Sequence, residues 1–167
     1  GTAEEQLGHV RETAARIAGV VRAGYRRILI THGNGPQVGN LLLRSELAET
    51  AAQIPPSPLD ECVAASQGSM GYLIQQCLAD QLRRAGHRRH VTTVITQVVV
   101  DAADPAFSAP SKPVGRFYPM ATAFELMRAK GWAMKEDAGR GWRRLVPSPT
   151  PLEIVEVDVV RRLIDSG

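Results

Sequence analysis

The sequence predicts an α/β fold, and three observations carry that reading. A helical period of apolar residues opens the chain, β-branched runs alternate with helical segments, and a glycine-rich loop joins the first run to a helix. Helix, strand, helix, helix, strand is the order in which an α/β layer is built.

From Glu4 to Ala23 apolar residues recur at Leu7, Val10, Ala14, Ile17 and Val21, one face of a helix, and Gly24 is placed to cap it. Ile28, Leu29 and Ile30 form a short continuous apolar run, the pattern of a parallel strand covered on both faces. Gly33 and Gly35 follow, residues that allow positive φ and close approach of a ligand to the backbone. Pro36 suits the first turn of the next helix, Gln37 to Ala51, whose Leu41, Leu42, Leu43 and Leu47 are expected in the core. Pro55, Pro56 and Pro58 break the chain before a long helix from Leu59 to about Ala85. Gly68 and Gly71 lie inside that helix, each at a cost of about 1 kcal/mol against alanine, which implies close packing or a bend. Gly86 closes it. Val91 to Val100, VTTVITQVVV, is expected to be a central strand.

After Asp101 the chain becomes proline-rich and takes up much of the aromatic content, with one helix expected from Thr122 to Lys130. Val157 to Ile164 returns to a helical period, with Gly167 as its expected cap. The expected organisation is an incomplete α/β lobe over 1–103, a small protruding subdomain over 104–152, and a helix returning to the lobe over 153–167. Two core strands are few for an α/β domain, so missing sequence or missing partners are expected.

Composition narrows the function. The chain has 167 residues, 44% apolar and 22% charged, ordinary for a soluble globular domain. No segment approaches the run of ~18 uncharged apolar residues that spans a membrane. The first residues lack a secretory signal, and Cys62 and Cys77 have no metal-ligand spacing, which points to buried reduced thiols in the cytoplasm. A net charge of +3 favours a phosphorylated substrate only modestly. Arg83, Arg84, Arg88 and Arg89 form the densest basic patch, but without interleaved aromatics it is a solvated helix end, and no nucleic-acid partner is expected.

Four stretches together are specific. HGNGPQVGN (His32 to Asn40), PLDECVAASQGSMGY (Pro58 to Tyr72), TQVVVDAADPAF (Thr96 to Phe107) with SKPVGRFY (Ser111 to Tyr118), and KEDAGRGWRRLVPSP (Lys135 to Pro149) closely resemble carbamate kinases of the amino-acid-kinase superfamily. The resemblance is to the N-terminal half, without its first strand and first glycine loop. It implies a partial three-layer αβα sandwich with a protruding subdomain, and a cytoplasmic homodimer often serving arginine breakdown. The implied reaction is reversible phosphate transfer between ATP and carbamate, giving carbamoyl phosphate and ADP. ATP or ADP with Mg2+ is the implied cofactor, its site mostly in the half without a counterpart here. The chain alone is therefore expected to be inactive.

The resemblance also implies site residues. His32, Gly33, Asn34, Gly35 and Gln37 match the substrate and phosphoryl-transfer loop, whose N–H groups meet anionic oxygens without a nucleophilic side chain. Lys112 matches a catalytic lysine reaching toward the phosphates, and Arg143 a phosphate-binding residue of the subdomain. His32 is of the type most used for proton transfer, but phosphoryl transfer needs geometry more, so it is read as positioning substrate. Asp101 either orients groups near the cleft or caps a turn, and Tyr118, Trp132 and Trp142 are read as packing residues. No metal ligands are assigned. Two rival readings are another small-anion kinase of the superfamily and a non-catalytic dimerising module.

Overall fold

The computed structural model describes residues 2–166 and shows mixed α/β structure, with five α-helices and two small sheets among them. Contacts divide the chain into two compact units. The first comprises Gly1–Gly33, Gln67–Thr96 and Val155–Gly167; the second comprises Asn34–Ser66 and Gln97–Ile154.

In the first unit, α1 (Ala3–Arg22) starts on a capping box in which Thr2 Oγ1 accepts from Glu5 N and Glu5 Oε2 accepts from Thr2 N. Its Ala14, Ala18 and Val21 pack on Cys77, Leu78 and Leu82 of α3 (Leu59–Arg84), with Leu7, Val10 and Ile17 at the margin. Gly24 follows with φ +99°, as a helix-ending glycine should. Gly86 ends α3 the same way, at φ +78°, with His87 N donating to Leu82 O.

The run Ile28–Ile30 belongs to no strand, which corrects the expectation of a strand covered on both faces. Ile28 and Ile30 pack on the core while Leu29 is 60% exposed, so one side of the run is covered. Residues 91–97 likewise carry no ladder, so the expected central strand shrinks to Val98–Val100. A strand exists only where another backbone pairs with it, and neither run has such a partner among the described residues. The Gln67 carboxamide stands in for one neighbour: Thr96 N donates to its Oε1 at 2.9 Å and its Nε2 donates to Thr96 O at 3.1 Å. Arg89, expected in a solvated patch, instead donates to Arg26 O at 2.7 Å. Arg83 and Arg84 do sit at an exposed helix end, paired with Asp80. α5 (Val157–Ser166) completes the unit; its expected cap, Gly167, lies outside the described residues.

The second unit holds α2 (Gly35–Ala52), the first turns of α3, and both sheets. Val38 and Leu42 of α2 pack on Cys62, with Leu41, Leu59, Val63 and Val114 around them. Leu47, expected in the core, is 54% exposed because it falls off that stripe. β1 (Val98–Val100) pairs antiparallel with β5 (Pro151–Ile154), so these two strands form the neck of the segment between them. That segment is an antiparallel sheet of order β2–β4–β3, made of Lys112–Tyr118, Trp142–Val146 and Ala133–Glu136. Against it lies α4 (Met120–Lys130), whose Ala123, at 0% exposure, packs with Tyr118 and Met134; Trp132 and Trp142 flank them as packing residues.

Asp104 clamps the neck. Its carboxylate accepts from Ala106 N at 2.8 Å and from Thr150 N at 2.9 Å, across 46 residues of sequence. The Thr150 bond, followed by the Ala106 bond, holds this carboxyl below the usual carboxylate range. A depressed carboxyl contributes stability above its unfolded pKa, about 3.9, and that contribution is lost as pH falls through the lower folded value. Asp104→Ala is therefore expected to speed amide exchange at Thr150 at neutral pH, with the difference from the parent vanishing in strong acid. Equal exchange at neutral pH would show that the clamp does not hold.

Candidate functional site

The glycine loop ends in an open helix start. In the first unit His32 and Gly33 are exposed, with His32 Nδ1 3.4 Å from Gly33 O. Neither Gly33 nor Gly35 takes a positive φ, which corrects the reason given for them. A Cβ at either position would meet nothing within 4 Å, so these glycines leave the loop's front uncovered rather than turning the chain.

In the second unit Asn34 is the N-cap of α2, yet its side chain makes no capping bond. Its Nδ2 donates instead to Ser66 Oγ at 2.7 Å, and Ser66 Oγ donates to Val63 O at 2.6 Å. The first N–H groups of a helix have no partner within it, and they carry partial positive charge. Pro36 removes one of them, and Gly35 and Gln37 are left without a cap from Asn34.

One close approach fixes β2 against this helix start. A Cβ on Gly39 would lie 3.6 Å from Gly115 Cα, in ordinary van der Waals contact, so the backbones of α2 and β2 run close together here. Val38 and Val114 share the adjoining cluster. Lys112 is the exposed first residue of β2, three residues before Gly115, so the structure holds its strand against the helix that Asn34 to Gln37 begin.

Arg143 is placed differently. Lys112 faces Val146, and Val114 faces Arg144, across the β2–β4 ladder; Arg143 faces Lys135 on β3. Opposed residues share a face and successive ones alternate, so Arg143 and Lys112 lie on opposite faces of the sheet. Arg143 Nη1 contacts Asp137 Oδ2 at 3.2 Å, and the guanidinium lies over Phe117 at 5.2 Å. Its Nε is buried with no hydrogen-bond partner among the described residues. Arg143 first, and Arg140 second, hold the Asp137 carboxyl below its ordinary value.

A groove of ≈ 390 Å³ in the same unit is lined by Glu46, Glu49, Lys130, Trp132 and Arg144. Its cations are engaged: Lys130 pairs with Glu49 at 2.6 Å, and Arg144 lies over the Trp132 ring at 4.4 Å. The Tyr118 hydroxyl donates to Glu46 at 2.8 Å, and burial raises its pKa. These contacts pack α2 against α4 and the three-stranded sheet. Asp101 caps a turn, its carboxylate accepting from Ala103 N at 2.8 Å. Cys62 and Cys77 are free and buried, and burial pushes the Cys62 thiol up. Among the described residues no group of three or more His, Cys, Asp or Glu is placed to hold a metal ion, and no helix is long and apolar enough to cross a membrane.

Sequence reasoning missed Ser66. The available signal was a hydroxyl at i+4 from buried Cys62, on the covered stripe of α3, where a polar group needs a partner.

The helices and small sheets are those of an amino-acid-kinase-like fold, with a glycine loop opening onto a helix N-terminus. The particular homologues are carbamate kinases. The carbamate kinase of Pyrococcus horikoshii is 52% identical over 167 residues, all of this chain and 53% of that protein. Carbamate kinase 1 of Enterococcus faecium is 47% identical over 163 residues, 98% of this chain and 52% of that protein. A crystal structure from Aeropyrum pernix superposes with a TM-score of 0.92 at 40% identity, over 99% of this chain and 52% of that one. Carbamate kinase from Giardia lamblia bound to AMP-PNP gives 0.87 at 42% identity, with the same coverage. The chain spans about half the length of the curated relatives it matches. No protein-family model matches it.

Proposed function

We propose that this chain is the carbamate-side lobe of a carbamate kinase-type phosphotransferase, part of a three-layer αβα sandwich with residues 104–152 as its protruding subdomain. The supporting observation is the 52% identity to a carbamate kinase across the chain's whole length, glycine loop and Lys112 strand included. In the reaction, the phosphoryl group leaves the carbamoyl oxygen for the terminal phosphate oxygen of ADP, giving ATP and carbamate, or runs in reverse. Such transfers depend on placement and on charge neutralisation. His32 and the backbone N–H groups of Gly33, Asn34, Gly35 and Gln37 hold the anionic substrate. Lys112 balances charge on the transferred group, and Arg143 shapes the subdomain through Asp137. This chain spans about half the length of the carbamate kinases it matches, and Mg2+ and most of the nucleotide site are assigned to the half with no counterpart here. Cytoplasmic location and homodimerisation belong to the same proposal.

The test is a chimera in which these 167 residues replace their counterpart in the Pyrococcus horikoshii enzyme. It is expected to form ATP from ADP and carbamoyl phosphate, while the 167-residue polypeptide alone forms none. A folded chimera that makes no ATP would count against the reading. Turnover of an acylglutamate instead would favour a different small-anion kinase.

A further inference from the structure

We infer that Ser66 is a positioning residue that keeps the start of α2 uncapped; the inference rests on the substrate-loop reading proposed above. Ser66 is 0% exposed. Its Oγ donates to Val63 O at 2.6 Å, which turns its lone pairs toward Asn34 Nδ2 at 2.7 Å. An asparagine at an N-cap ordinarily turns its side-chain oxygen onto the N–H of the second or third helical residue. Here the second is Pro36, which has no N–H, and Val38 N already donates to the Asn34 carbonyl at 2.9 Å. The Gln37 N–H is therefore the group that an Asn34 cap would occupy.

The Ser66 bond holds the carboxamide away from it. Asn34 sits at φ −139° and ψ 12°, outside the extended region usual for an N-cap, and makes no capping bond. A side-chain cap and a substrate oxygen would compete for the same N–H, so diverting Asn34 onto Ser66 leaves that donor to the substrate. Ser66 acts through Asn34 and does not touch the reacting atoms.

Amide exchange at Gln37, followed by NMR on this chain, distinguishes this role from simple packing. Ser66→Ala frees Asn34 to cap, and exchange is expected to slow about fivefold, the size of one N-cap bond. In Asn34→Ala/Ser66→Ala it is expected to return to the parental rate. Ser66→Cys, which keeps the volume and weakens the hydrogen bond, repeats the pattern should the alanine variant fail to fold. In the chimera, KM for carbamoyl phosphate should rise by the same factor in Ser66→Ala. Unchanged exchange in Ser66→Ala, or a slowing that persists without Asn34, overturns the inference. An inactive chimera beside the expected exchange pattern refutes the phosphotransfer reading and leaves the Ser66 assignment supported.

Discussion

Lys112→Ala in the chimera is expected to lower kcat for ATP formation by about 10²–10³, the usual effect of removing one donor aimed at transition-state charge. Lys112 is the exposed first residue of β2, so its loss should leave the melting temperature unchanged. The effect should fall on kcat more than on KM, because charge on the transferred group peaks in the transition state. Lys112→Arg keeps the charge and should recover part of the rate, though the planar fork fits a lysine's point contact poorly. A Lys112→Ala chimera within about threefold of its parent would make this lysine a solvated charge and nothing more.

Gly71→Ala is expected to be the most damaging small substitution in the first unit. A Cβ there would lie 2.1 Å from Thr93 Cγ2, 2.9 Å from its Oγ1 and 3.1 Å from its Cβ. Threonine is short and branched, so its side chain cannot fold out of the way without moving the backbone. Overpacking of this kind costs about 1–3 kcal/mol, and the better helix propensity of alanine returns at most about 1 kcal/mol. At roughly 2–4 °C per kcal/mol for a chain of this size, thermal melting should detect the loss. Thr93→Ala in the same chain should restore most of it, by removing both clashing branches. A Gly71→Ala chain that melts with its parent would mean that α3 and the segment at Thr93 can separate freely.

Gly71 also shows what a sequence can disclose. Its position inside a helical period implied close packing or a bend, because glycine weakens a helix unless something needs the space. The identity of the neighbour, 22 residues away, was not in that pattern. The glycine loop shows the converse. Its place before α2 was legible from the strings around it, yet Gly33 and Gly35 adopt no positive φ. The close backbone approach falls at Gly39 and Gly115 instead, two residues from opposite sides of a packed helix and strand.

By itself the sequence determined the helices, the glycine ends of α1 and α3, the proline break and the position of the loop, because each follows from residues within a few turns of one another. It could not determine pairing. Ile28–Ile30 and residues 91–97 have strand composition, but a ladder requires another backbone, and β composition alone does not supply one. Register likewise put Lys112 and Arg143 on opposite faces, a distinction of a single residue that composition does not encode. The partnership of Asn34 with Ser66 joins residues 32 apart and changes a helix cap into an open one. Tertiary structure alone decided it, because a buried hydroxyl such as Ser66 must find a partner, and burial is a property of the folded chain.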